Sequence, residues 1–351
     1  MADGIWKTTA RLADGRQIIY FDESAATGRA DAADLRDLPA RASQAPAGQL
    51  RHDLLLGDWV AFAEQRQDRT FLPAAGICPL CPSRPGRATE IPAESYDVAV
   101  FENRLPALPA GRGHCEVVCF TPDHDASFTS LSPQRAATVL SAWADRTEEL
   151  GRADGIEHVY CFENRGAEVG ATLHHPHGQV YALPYVPPRT LQLLSAATAH
   201  RAKTGANIFD DLLAAELADG RRIVAGNGEW TALVPWAAHW PFEVLLFPAR
   251  RVPDLACLTE TARTAFAGVY LDVLRKLDAV FGSPMPYMAA WQQAPARDAD
   301  ARAELALHLQ VMAVRRAPGK LKFMGGTESG AGVWSNDVLP ETAARMLREA
   351  G

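Results

Sequence analysis

The stretch Gly170-Ala-Thr-Leu-His-His-Pro-His-Gly-Gln-Val-Tyr181 holds three of the chain's ten histidines, His174, His175 and His177, within four positions. Pro176 locks the backbone between the last two, and Gly178 lets another group come close just after them. Imidazoles clustered this tightly repel one another once protonated. A core gains nothing from that, so chemistry or a metal accounts for the cluster. The end of the stretch also has an echo. His177-Gly-Gln-Val-Tyr-Ala182 is matched roughly 130 residues later by His308-Leu-Gln-Val-Met-Ala313, self-similarity of the kind that reveals an internal repeat.

Working outward from the echo, one order of elements reads twice. The first copy runs through a strand (Asp97 to Glu102), a second strand (His114 to Thr121), a helix (Pro133 to Gly151), a strand (His158 to Glu163) and a last strand through Ala182. Ser132-Pro133 opens the helix, and Ala137, Leu140, Trp143 and Leu150 recur at helical spacing. In the second copy Glu243-Val-Leu-Leu-Phe247 echoes Glu116-Val-Val-Cys-Phe120, and Leu258-Thr-Glu opens a helix reaching about Phe281. Tyr287 to Gln292 echoes His158 to Glu163. The pattern predicts an α+β fold of two tandem units, residues 1–190 and 191–351, each an antiparallel sheet with helices packed on one face. The first copy keeps His-Pro-His-Gly-Gln, whereas the second reads Ala306-Leu-His-Leu-Gln310. The first is expected to be active and the second, with a structural His308, to be scaffold.

The lead-in is less regular. Gly15 to Asp22 reads as a strand, residues 25–49 as loop or loosely held helix, and Leu50 to Ala63 as a turn around Gly57-Asp58 followed by a strand. Glu64 to Arg69 reads as solvated loop.

A chain of 351 residues, 48% hydrophobic and 22% charged, has the composition of a soluble globular protein. A net charge of −7 offers no basic footprint, which argues against nucleic acid as partner. No apolar run approaches a bilayer span and the N-terminus shows no signal peptide, so no membrane partner and a cytoplasmic location are expected.

Of six cysteines, Cys115 and Cys119 alternate with Val117 on one face of a strand, and Cys161 and Cys257 sit in apolar company. Cys78-Pro-Leu-Cys81 differs, because a tight turn aims both sulfurs at one point, the spacing of a tetrahedral zinc knuckle. Two buried cysteines or a redox pair are the competing readings, the latter disfavoured because no βαβ pattern follows. A closed structural site needs two more ligands, for which His124, in Pro122-Asp-His-Asp125, and His175 are the candidates. With His175 so fixed, strand alternation puts His177 and Gln179 on one face. His177 is then a general base, a metal ligand or a nucleophile, and spacing alone does not choose.

Phe162-Glu-Asn-Arg-Gly166, Gly170 and His175-Pro-His-Gly-Gln179 resemble the galactose-1-phosphate uridylyltransferase family of the histidine-triad superfamily. The resemblance runs from Arg51 to about Phe323. It takes in Cys78-x-x-Cys81, Phe101-Glu-Asn103, Pro122-Asp-His124, Trp240-Pro-Phe-Glu243 and Lys322-Phe-Met324. It implies histidine-triad-like units, galactose metabolism, and a ping-pong exchange of UMP between UDP-glucose and galactose 1-phosphate through a covalent uridylyl group on His177. Gln179 and Thr172 are the nearest phosphoryl-oxygen donors, with Gly170 allowing close backbone approach. Gln179 stands where related nucleotide hydrolases carry a third histidine. An amide donates a hydrogen bond but delivers no proton, which suits transfer between two phosphates.

The resemblance also implies a nucleotide pocket of Arg51, Leu80, Phe101, Asn103, Val117 and Asn164. It assigns hexose contacts to Lys322, Phe323, Gly325, Gly326 and Glu328, supplied in the family by the partner subunit of a homodimer with a shared active site. One structural zinc on Cys78, Cys81, His124 and His175 is implied. The family's second metal is not expected, because only His308 of its ligands survives; the matching positions read Leu193, Gln292 and Gln310. Other departures are Thr172 for a serine, Arg104 after Asn103 where an acidic residue is usual, His174 for a proline, and the sequence of 329–338. Two alternatives follow: a related nucleotidyltransferase or phosphorylase using ADP-glucose or another nucleotide sugar, and a zinc-stabilised nucleotide-binding protein without turnover.

Overall fold

The computed structural model describes residues 4–24, 34, 48–67 and 71–351. The loop or loose helix expected over 25–49 therefore falls, apart from 34, 48 and 49, outside the described residues, as do 68 and 69 of the polar run. Glu64–Arg66 of that run form a single 3₁₀ turn. The chain divides into two compact units, one of residues 1–161, 172–192 and 295–299, the other of 162–171, 193–294 and 300–351.

The first unit is built on strands β1 (Trp6–Arg11), β2 (Gln17–Asp22), β5 (Val98–Glu102), β6 (His114–Cys119), β7 (His158–Arg165) and β8 (His177–Leu183). Their order is β1-β2-β5-β6-β8-β7, and the pairings from β1 to β8 are antiparallel. A separate antiparallel hairpin pairs β3 (Gln49–His52) with β4 (Trp59–Phe62). Helix α1 (Pro133–Gly151) begins where the sequence places it, because the Ser132 hydroxyl accepts from Arg135 N at 3.0 Å and proline occupies the first turn. It packs across β2, β5 and β8. A buried two-point ion pair pins it to the sheet, Arg146 donating to Glu116 from Nε (2.8 Å) and Nη2 (2.9 Å). Removing one partner of such a pair strands a buried charge, at a cost of about 3–5 kcal/mol.

The second unit takes the end of β7 and adds β12 (Tyr287–Gln292), β13 (His308–Ala313), β11 (Phe242–Pro248), β10 (Trp230–Leu233) and β9 (Ile223–Gly226), in that order. Helix α4 (Glu260–Val280), capped by Thr259, packs on β9, β10 and β11. Helices α2 (Pro188–Thr204) and α3 (Ile208–Asp219), the short α5 (Ala299–Glu304) and α6 (Gly326–Ala331), and α7 (Pro340–Glu349) complete the chain with the hairpin β14 (Arg315–Ala317) and β15 (Lys320–Leu321). Mixed helix and antiparallel sheet is thus the architecture read from the sequence. Among the described residues no helix is long and apolar enough to cross a membrane.

Strand register corrects one detail of the repeat. Gln179 lies opposite Val117, and Gln310 lies opposite Leu245. The sequence echo had matched Val117 with Val244, one residue away. A one-residue slip turns every side chain to the other face of a sheet. Glu116 consequently faces α1, whereas Glu243 shares a face with Gln310 and is hydrogen-bonded to it.

Candidate metal centre and active strand

Four ligand atoms converge in the first unit. Those of Cys78, Cys81, His124 and His175 all lie within 4.8 Å of one another, the one such group among the described residues. Cys81 Sγ is 3.5 Å from His124 Nδ1 and 3.6 Å from His175 Nδ1. The knuckle is held by its own backbone, since Arg87 Nη2 donates to Cys78 O at 2.6 Å and Thr89 Oγ1 to Cys81 O at 2.5 Å. His175 is fully buried, and its Nε2 lies 2.8 Å from Thr121 O. A carbonyl can only accept, so Nε2 carries the hydrogen and Nδ1 points its lone pair at the cluster, the arrangement an outer carbonyl imposes on a metal-bound imidazole. Tyr96 Oη, 3.2 Å from the same nitrogen and donating to Thr121 O, braces it. Nothing in the sequence singled out Tyr96.

Desolvation holds His175 neutral, its pKa brought down to about 4. Burial, then the neighbouring Cys78, pushes the Cys81 thiol up to about 11. A divalent ion reverses that second effect, because a coordinating thiol is deprotonated outright. Two thiols and two imidazoles, with three of the four residues buried, fit a metal.

Strand β8 begins two residues later. His175 itself precedes the strand, whereas His177 and Gln179, two apart on it, share a face. His177 Nδ1 is 2.8 Å from His175 O, which by the same logic puts the hydrogen on Nδ1 and leaves the lone pair on Nε2. Desolvation, outweighing that hydrogen bond, lowers its pKa and keeps the ring neutral. Gln179 Oε1 accepts from Tyr181 Oη at 3.3 Å, which leaves its amide nitrogen as the donor end, and Arg66 Nη1 lies 3.4 Å from the same hydroxyl. Alternation along β8 is the sequence signal for Tyr181, two residues beyond Gln179, whereas no local pattern points to Arg66. His174 is exposed.

Of the nucleotide-pocket residues, Leu80, Phe101 and Val117 belong to one buried cluster with Cys78, Cys81 and Cys119. Asn103 follows β5 and turns its side chain onto Leu105 N at 2.9 Å. Arg104 pairs with Glu90 at 2.9 Å. Thr172 O accepts from Leu72 N, and Leu72 is held at a φ of 44°. Arg51 lies exposed on β3, its guanidinium on Gln49 Oε1 and over the Phe62 ring at 4.6 Å.

Asn164 and Gly170 fall in the second unit. Gly170 ends a 3₁₀ turn at a φ of 80°, a left-handed backbone that calls for glycine, and no protein atom lies within 4 Å of an added Cβ. Phe323 is 73% exposed, but Lys322 and Glu328 are engaged within the unit. Glu328 accepts from Gly325 N, Thr327 Oγ1 and Ser335 Oγ, and these hydrogen bonds, Thr327's foremost, bring its pKa down to about 2. Gly325 and Gly326 open α6 beside it.

Two family models match the chain: galactose-1-phosphate uridyl transferase N-terminal domain over residues 108–187, and its C-terminal domain over 194–350. A galactose-1-phosphate uridylyltransferase of Streptomyces lividans is 48% identical, over 98% of this chain and 97% of its own. One of Thermotoga maritima is 34% identical over 86% of this chain and 98% of its own. A solved uridylyltransferase structure superposes with a TM-score of 0.74 at 29% identity, covering 86% of this chain and 97% of the other. Together with the site geometry, these place the chain in the galactose-1-phosphate uridylyltransferase family.

Proposed function

We propose that the protein exchanges a uridylyl group between UDP-glucose and galactose 1-phosphate, with His177 as the covalent carrier. The observation that carries this reading is a half-buried His177 whose Nδ1 donates to His175 O, fixing a neutral imidazole with its Nε2 lone pair in place, where His308, with the same contact, is buried. That nitrogen attacks the α-phosphorus of UDP-glucose; the P–N bond forms as the P–O bond to glucose 1-phosphate breaks. A phosphate oxygen of galactose 1-phosphate then attacks, forming UDP-galactose and returning the electron pair to Nε2. Neither leaving phosphate needs a proton. This suits an amide at position 179, whose NH₂ would stabilise charge on the phosphoryl oxygens.

Cys78, Cys81, His124 and His175 would hold zinc in a closed structural site, tying down the backbone from which His177 projects. The acceptor hexose would meet the segment from Lys322 onward, supplied by the second subunit of a homodimer.

A substrate panel tests the reading. Turnover should require a uridine diphosphate hexose and a hexose 1-phosphate; preference for ADP-glucose would replace the donor, and binding without turnover would remove the enzyme. Metal analysis should find about one zinc per chain by the four-ligand geometry, lost together with cooperative unfolding in Cys78→Ser.

A further inference from the structure

The segment following β15 is docked on one turn of its own unit. Lys322 Nζ donates to His239 O at 2.8 Å and to Ser335 O, and lies 3.8 Å from Glu328 Oε1. It stands over the rings of Trp240 and Trp334, 5.8 and 5.5 Å from their centroids, within cation–π range. An ammonium has three donors. Two are on carbonyls, and the carboxylate at 3.8 Å is an ion-pair neighbour rather than a hydrogen-bond partner. Trp334 stacks on His239 at 4.6 Å and 6°, and Asn336 Nδ2 donates to Ala238 O and Trp240 O, both at 3.0 Å.

What shapes that turn is Glu243. One carboxylate oxygen accepts from His239 N (2.6 Å) and Trp240 N (3.1 Å); the other accepts from Gln310 Nε2 (2.7 Å), whose own oxygen accepts from Gln292 Nε2 at 3.1 Å. Glu243 is buried, and all three of its partners are donors, so an acceptor-only side chain is required.

We propose that Glu243, anchored through Gln310 and Gln292 to β13 and β12, positions the 322–336 segment by shaping the 238–240 turn on which Lys322, Trp334 and Asn336 dock. Lys322 then holds the exposed Phe323 and Met324 in place. Gln292 and Gln310 are the scaffold of this device. The functional half of the proposal rests on the reading that the segment meets the hexose.

Glu243→Gln puts an NH₂ among donors, and Trp334→Leu undoes the docking from the opposite side with little risk to the core. Amide hydrogen exchange on the full-length protein should quicken across 238–241 and 322–336 in the first variant and across 322–336 in the second. In both, KM for galactose 1-phosphate should rise about tenfold while kcat stays within about twofold, the split of a lost positioning contact. Native exchange across 322–336 in both folded variants would overturn the proposal. Quickened exchange with unchanged KM would keep the docking and overturn the segment's assignment to the hexose. Should Glu243→Gln fail to fold, Gln310→Leu, which releases Glu243 from β13, takes its place with the same expected exchange.

Discussion

Strands β8 and β13 open on the same device and use it differently. His177 turns Nδ1 onto His175 O at 2.8 Å, and His308 turns Nδ1 onto Ala306 O at 2.9 Å. His308 is then sealed between aromatic rings, stacked on Phe247 at 4.9 Å with Phe209 at 5.9 Å, and Gln310 is tied into the Glu243 chain. His177 is half-buried, and Gln179 has only its carbonyl end turned toward Tyr181. The imidazole lock therefore belongs to the scaffold in both copies, and chemistry depends on what covers the ring. The two units also differ in a buried carboxyl, Glu116 on β6 and Glu163 on β7. Glu116 is held ionised, its pKa lowered by His114 and Arg146 against the opposing effect of burial. Glu163, bonded to Tyr287 Oη at 3.1 Å with Arg165 turned to Asp278, is pushed up to about 7 by burial.

The largest effect should separate the two histidines. His177→Gly should cut turnover by more than about 10⁴-fold with the fold intact, as for loss of a nucleophile. His308→Ala should keep turnover but lose about 2–3 kcal/mol, the cost of a cavity in a packed core, read by urea unfolding. Equal activity losses in two folded variants would break the comparison.

The two carboxyls should part next. Glu163 binds its proton more tightly folded than unfolded, so its stabilising contribution is complete below pH 4.5 and is lost as pH rises through about 7. Glu163→Gln should remove that slope and unfold later than the parent at pH 8 by on the order of 3 kcal/mol. A parent that gains stability over this range through Glu163 would contradict the assignment.

A smaller gap should separate the glutamines. Gln310→Leu strands Glu243 and Gln292 at about 1–3 kcal/mol; Gln179→Leu should leave the unfolding midpoint nearly unmoved and slow uridylyl transfer instead. Smallest is Gly170→Ala, expected to cost about 1–2 kcal/mol through its left-handed backbone alone. A neutral result in unfolding would show that the turn relaxes.

Local rules carried the sequence reading where local physics decides. Ser132-Pro133 marks the start of α1 because cap and first-turn proline both act within four residues. Cys78, Cys81, His124 and His175 assemble because ligand chemistry constrains their types. Helices α2 and α3 leave little signal in the sequence, since their Ala-containing, weakly periodic stretches bury no sharp stripe. The Glu116 and Glu243 echo slipped by one because matching letters carry no register. Lys322 could not be read as captured, because its partners Ser335 and His239 are brought to it by folding. Glu328 could have been, since Gly325-x-x-Glu328 is a helix-start pattern with the acid returning to its own N-terminus.

The central claim is that one imidazole carries the uridylyl group and its counterpart does not. Incubating the protein with UDP-glucose alone, quenching, and mapping the adduct by peptide mass spectrometry tests this directly. An acid-labile uridylyl group on His177, discharged by galactose 1-phosphate, is the expected result; an adduct elsewhere, or turnover with none at His177, would contradict it.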